Sequence, residues 1–160
     1  MLGHTGSSNR FRKVTGMQWW IDKPKLVGSH NPRQSELKID HLTTIISLID
    51  PSEEPLKYNP AIPGIKWIEI PVRDYTAPAL EKLFRFVKIV EESPGTVLVH
   101  CEGGSGRTGT FGAAWLMREG GVSATDAIET LRKANAFAVE TEEQKAVLIR
   151  FERKLRDDVG

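Results

Sequence analysis

From Thr96 to Val99 the chain reads as a strand covered on both faces, followed by His100, Cys101 and the turn Glu102-Gly103-Gly104-Ser105-Gly106. It re-emerges at Arg107 and Thr108 into a helix, expected over Thr108 to Met117, that is apolar nearly all round through Phe111, Ala113, Ala114, Trp115 and Leu116. A strand and a helix that must both be enclosed, joined by a glycine-rich turn, belong at the centre of a mixed α/β domain.

The remaining pattern supplies the surrounding elements. Lys25 to Ser29 reads as a short strand, Pro32 opens a brief helix to about Leu42, and Thr43 to Ile49 is a β-branched run without polar alternation, as in a strand buried on both faces. The proline-rich, charged stretch Pro51 to Pro63 is a surface loop, and Ile65 to Ile70 is another strand. Between Ala77 and Glu92, Leu80, Leu83, Phe84, Val87 and Val90 recur at helical spacing while Glu81, Lys82, Arg85 and Lys88 face out. Ser123 with Asp126 and Thr141 with Gln144 each resemble a capping box, so two more helices start there and the C-terminal third is helical.

At 160 residues the chain fits one domain. Lys plus Arg number 22 against 21 for Asp plus Glu, so no overall field favours nucleic acid or an anionic membrane, and any preference for anions must be local. Residues 1–16 are polar and basic without an apolar run; a flexible tail is expected there, ahead of a single domain over 17–160. A cytoplasmic monomer is the expectation. One cysteine cannot form an internal disulfide, and histidines at 4, 30, 41 and 100 have no metal-site spacing, so chemistry without cofactor or metal is expected.

That chemistry concentrates at residues 97–110. Amides of a tight glycine turn converge with the positive end of the following helix, which makes an anion trap suited to a phosphate dianion. Gly103, Gly104 and Gly106 let the backbone, including Glu102 and Ser105, curl closely around the ligand. A lone cysteine is usually a small buried hydrophobe, but at the mouth of such a loop helix N-termini and cations favour the nucleophilic thiolate. Cys101 is therefore the candidate nucleophile, and Arg107 offers a planar fork for two phosphoryl oxygens that a lysine could not match. Thr108 places a hydroxyl near the sulfur, where it can stabilise a departing thiolate. His100 holds the loop from behind or simply packs. A leaving oxygen needs an acid, and Asp74, between a strand end and a helix start, is the candidate, with helix capping as its plainer role.

With Cys101-x5-Arg107-Thr108 in view, the chain resembles the protein tyrosine phosphatase superfamily, and its size resembles the small atypical dual-specificity branch. The resemblance spans most of Trp19 to Leu155 and implies a three-layer α/β fold around a short, mainly parallel sheet flanked by helices. Ile70-Pro71-Val72-Arg73-Asp74-Tyr75 looks like the family's general-acid loop, and Ala138 to Val147 is similar to its late glutamine loop, which orders the hydrolytic water. By that resemblance Cys101 forms a cysteinyl phosphate, Arg107 and the loop amides bind phosphate, Asp74 is acid then base, and Thr108 assists thiolate departure. Two departures stand out: Glu140 occupies the place of a first glutamine while Gln144 remains, and Arg73 stands where proline is common.

A phosphorylated protein or peptide is the expected substrate, with phosphotyrosine alone or phosphoserine and phosphothreonine as well left open. Low-molecular-weight phosphatases and arsenate reductases place this loop near the N-terminus, and the latter need further cysteines. Lipid and RNA phosphatases are disfavoured by Glu102 in a loop without lysines. A module that binds phosphoresidues without cleaving them is disfavoured by Cys101, Arg107 and Asp74 all being present.

Overall fold

The computed structural model describes residues 18–159, so the tail expected over 1–16 lies outside the described residues. Five strands, β1 (Gln18–Asp22), β2 (Leu26–Ser29), β3 (Leu42–Ser47), β4 (Lys66–Glu69) and β5 (Thr96–His100), form one sheet in the order β1-β2-β5-β3-β4. Only the β1/β2 pair is antiparallel; β2/β5, β5/β3 and β3/β4 are parallel. Helices α1 (Leu80–Glu92), α2 (Gly106–Gly120), α3 (Ala124–Ala134) and α4 (Glu142–Val159) complete the fold, which is the expected α/β class with a helical C-terminal third.

Strand alternation divides the core in two. Leu26, Ile46, Val97 and Val99 face a cluster that includes Leu83, Phe111, Ile128 and Val147, one from each helix. Val27, Ile45 and Leu98 face the other way, against Leu37, Leu42 and Tyr58. With β5 in the middle and both its faces covered, the apolar run Thr96 to Val99 is what a parallel central strand requires.

Local chemistry explains the helix limits. Ser123 Oγ accepts from the Asp126 amide at 3.1 Å, which caps α3 by one bond, whereas Thr141 and Gln144 exchange side-chain and backbone bonds at 3.1 Å in both directions and so form a full capping box. α2 ends where Gly121 takes φ 66°, a left-handed turn suited to glycine. The helix expected from Ala77 starts instead at Leu80, because Ala79 ahead of it is extended (ψ 148°).

One sequence expectation needs correction. The helix from Pro32 to Leu42 is a single 3-10 turn over Gln34–Leu37. Glu36 is drawn to His30 Nε2 at 3.1 Å and to the Arg33 amide at 2.8 Å, and His41 turns left-handed (φ 64°) to start β3, so local bonds outcompete a helical ladder. Strand β1, for which the sequence pattern gave no expectation, buries Trp19 and Ile21 on one side and pairs with β2, Trp19 opposite Gly28.

Candidate active site

In parallel sheets ligands bind beyond the carboxyl ends of the strands. Here that edge gathers Asn31 after β2, Glu53 after β3, Asp74 after β4 and Cys101 after β5. β1 runs the opposite way, so its first residues, Gln18 and Trp19, arrive at the same edge.

The loop 101–106 closes around a cleft of about 200 Å³ lined by Cys101, Gly103, Ser105, Gly106 and Arg107, with Asp74 and Tyr75 on one wall and Phe137 and Glu140 on the other. Cys101 Sγ accepts from the Gly104 amide at 3.2 Å and from Thr108 Oγ1 at 3.1 Å. Two donors converging on one sulfur favour negative charge there. Thr108 is fully buried at the start of α2.

Arg107 is held by a residue that the sequence did not point to. Its Nη1 and Nη2 donate to Glu53 Oε1 and Oε2 at 2.5 and 2.8 Å, Nη1 also donates to the Val72 carbonyl at 2.8 Å, and Asp74 Oδ1 lies 3.4 Å from Nη2. Burial opposes the charge of both partners, yet the hydrogen bonds between them prevail: the Arg107 pKa ends above the ordinary arginine value and that of Glu53 below the ordinary carboxylate value. Arg107 Nε is buried with no hydrogen-bond partner, the only such side-chain atom among the described residues. A guanidinium locked at two nitrogens, with a third N–H unsatisfied beside an open cleft, is prepared for an external acceptor.

Asp74 is half-exposed, with Oδ1 accepting from the Tyr75 amide at 2.9 Å, and Tyr75 itself is left-handed (φ 64°). The opposite wall has a matching irregularity in Val139 (φ 63°), braced by Arg132, which donates to the Ala138 and Val139 carbonyls at 3.0 and 2.7 Å. Backbone held in such conformations marks segments that tertiary contacts over-determine. Glu140 lies against Gly106, where any Cβ would collide with its carboxylate. Partial burial, then the charge of Asp74, push its pKa above the ordinary carboxylate value.

Two residues expected near the ligand face elsewhere. Glu102 turns its carboxylate toward Asn31 Nδ2 (3.2 Å) and Lys57 Nζ (3.8 Å), so the carboxylates that line the cleft are Asp74 and Glu140 instead. Gln144 is fully buried: its Oε1 accepts from the Glu140 and Thr141 amides at 2.8 and 3.1 Å and its Nε2 donates to the Thr76 carbonyl at 3.3 Å. It ties the wall of Glu140 to the wall of Asp74 and is not among the cleft's lining residues.

His100 is fully buried behind the loop, with Nδ1 3.2 Å from the Cys101 carbonyl and Nε2 2.7 Å from Tyr58 Oη. A carbonyl only accepts, so Nδ1 carries the proton and Nε2 accepts from Tyr58, whose oxygen accepts from Trp67 Nε1 at 2.9 Å. Burial pushes the Tyr58 pKa up to about 12 and the His100 pKa down to about 4, so both are neutral. Below its ordinary value of 6.5, the unfolded chain takes a proton at His100 that the folded chain refuses. The stability this histidine contributes is therefore complete above that pH and is lost as pH falls to about 4, at about 1.4 kcal/mol per unit. Urea midpoints followed over this range should fall with acidification, and His100→Asn should flatten the slope; an unchanged slope would refute the assignment.

Residues 16–148 match the family described as "Swiss Army Knife protein, DSP-PTPase phosphatase domain". Over 130 residues the chain is 34% identical to the Caenorhabditis elegans tyrosine-protein phosphatase cdc-14, a match covering 71% of this chain and 18% of that protein. The chain thus spans under a fifth of that relative's length. Among solved structures, Tk-PTP in the active form aligns with a TM-score of 0.74 at 32% identity, covering 84% of this chain and 95% of that one. PTPMT1 in complex with PI(5)P aligns with a TM-score of 0.81 over 89% of this chain and 99% of that one; at 20% identity it speaks to the fold alone.

Proposed function

This chain belongs to the DSP-PTPase phosphatase domain family, in its small atypical dual-specificity branch, and from that premise we propose that it hydrolyses phosphotyrosine in proteins through a cysteinyl phosphate on Cys101. The observation that carries the reading is the pairing of a twice-donated Cys101 sulfur with an Arg107 whose buried Nε has no partner. The sulfur attacks phosphorus while Arg107 and the loop amides hold the phosphoryl oxygens. As the P–O bond of the ester breaks, Asp74 gives its proton to the leaving oxygen. Water then attacks the cysteinyl phosphate and yields its proton to Asp74; phosphate leaves and Thr108 stabilises the released thiolate. Glu140, next to Gly106 in the lining of the cleft, orients that water, and Gln144 supports it by fixing the Glu140 and Thr141 amides.

Two features of the cleft favour an aromatic phosphoester over a polyanionic one. Tyr75 and Phe137, among the most exposed large apolar side chains described, both line it and supply aromatic surface for an aryl ring. Asp74 and Glu140 are acidic residues in the lining of the cleft, which opposes the additional phosphates of a phosphoinositide or of 5'-phosphorylated RNA. The test is phosphate release from matched phosphotyrosine, phosphoserine and phosphothreonine peptides, a phosphoinositide and a 5'-triphosphorylated RNA. The phosphotyrosine peptide should be cleaved with the highest kcat/KM, by about tenfold or more. Faster cleavage of the lipid or the RNA overturns the protein-substrate reading, and no release from any of them overturns the hydrolase reading.

A further inference from the structure

An anion cradle built from backbone amides works only if those amides point inward, and in a trans peptide the N–H points opposite to the preceding carbonyl. Whatever binds the carbonyl on the outside of the loop therefore aims the next N–H at the ligand. The Cys101 carbonyl is held by His100 Nδ1 and the Glu102 carbonyl by the Asn31 amide at 3.0 Å. The Gly104 carbonyl is the vulnerable one. Gly104 is left-handed (φ 85°), follows another glycine, and has no side chain to resist rotation of the peptide between it and Ser105. Turned over, that unit would present an oxygen where phosphate needs a donor.

One buried side chain prevents this. Trp19 Nε1 donates to the Gly104 carbonyl at 2.9 Å, across 85 residues of sequence, whereas Asn135 Nδ2 reaches the same oxygen only at 3.5 Å, the edge of the hydrogen-bond range. The indole is itself seated by design of the neighbouring strand: it lies over Gly28, where a Cβ would sit 3.1 Å from Trp19 Nε1 and 2.9 Å from Thr108 Cγ2. We infer that Trp19 is a positioning residue of the phosphate cradle, its indole N–H holding the Gly104–Ser105 peptide so that the Ser105 amide faces the bound phosphoryl group. This rests on the reading of the loop as a phosphate site.

Trp19→Phe removes the N–H and keeps an aromatic ring. Inorganic phosphate should bind about tenfold more weakly and kcat/KM for p-nitrophenyl phosphate should fall about tenfold, because one oriented donor is lost from the oxyanion site. The midpoints of the pH–rate profile should stay in place, since neither Cys101 nor Asp74 is touched. A packing role alone would lower the melting temperature and leave phosphate affinity unchanged. Should the phenylalanine variant fail to fold, 3-benzothienylalanine incorporated at position 19 keeps the bicyclic shape with sulfur in place of N–H, and it should show the same losses. Phosphate affinity within twofold of the parent in the folded variant overturns the assignment. If the parent itself neither binds phosphate nor cleaves the aryl ester, the phosphatase reading fails and takes this inference with it; if the parent does both and the variants match it, the role of Trp19 alone is wrong.

Discussion

Cys101→Ser should lower kcat by at least about 10⁴-fold on any aryl phosphate while leaving phosphate binding nearly intact. The sulfur sits where two donors converge, the Gly104 amide and the Thr108 hydroxyl, both 3.1 to 3.2 Å away. A serine hydroxyl there keeps its proton at neutral pH, and among the described residues no histidine lines the cleft to remove it; His100 faces Tyr58 and the Cys101 carbonyl, behind the loop. The proposed phosphate cradle consists of backbone amides and Arg107 and does not depend on sulfur. Phosphate titration and single-turnover kinetics on the same preparation separate the two effects. Residual turnover within a hundredfold of the parent would remove Cys101 from the nucleophile's place.

Arg107→Lys, which preserves the charge, should cost about 10²- to 10³-fold in kcat/KM and also destabilise the fold. The guanidinium makes two parallel bonds to Glu53, a third to the Val72 carbonyl, and keeps Nε for the ligand. An ammonium has three donors on one atom and cannot serve Glu53, Val72 and a phosphoryl oxygen in those directions at once. Either the ligand or the Glu53 carboxylate and Val72 carbonyl go short, and an unmet buried partner costs about 1–3 kcal/mol. Thermal melting with and without phosphate, together with kcat/KM, reads both consequences. A lysine variant within tenfold of the parent in rate and unchanged in melting temperature would show that the fork geometry is irrelevant.

How much of this could be read in advance depends on how local the cause is. The turn from β5 into α2 was legible because its ingredients are neighbours: a strand buried on both faces, glycines at 103, 104 and 106, and an all-round apolar helix. The Ser123 and Thr141 caps were legible for the same reason, since each joins residues three apart. Asp74 could be singled out as the acidic residue between a strand and a helix, and it lies in the lining of the cleft.

The partners of those residues could not be read, because each lies far along the chain and meets its target only through the sheet order. Glu53 is 54 residues from Arg107, Tyr58 is 42 from His100, and Trp19 is 85 from Gly104. Nothing in the loop 51–63 distinguishes Glu53 from Glu54 until β3 and β5 lie side by side and their carboxyl ends meet. Glu102 shows the same limit from the other side: its position inside the loop suggested a charge facing the ligand, and Asn31 and Lys57, brought in by other strands, draw it away. The chain's local chemistry thus determined the nucleophile's loop, the helix that follows it and the caps, since periodicity, glycine and capping act over a few residues. Tertiary structure alone decided which carboxylate grips the arginine, which indole bonds the Gly104 carbonyl and which acids face the cleft, because these contacts exist only where separate strand ends converge.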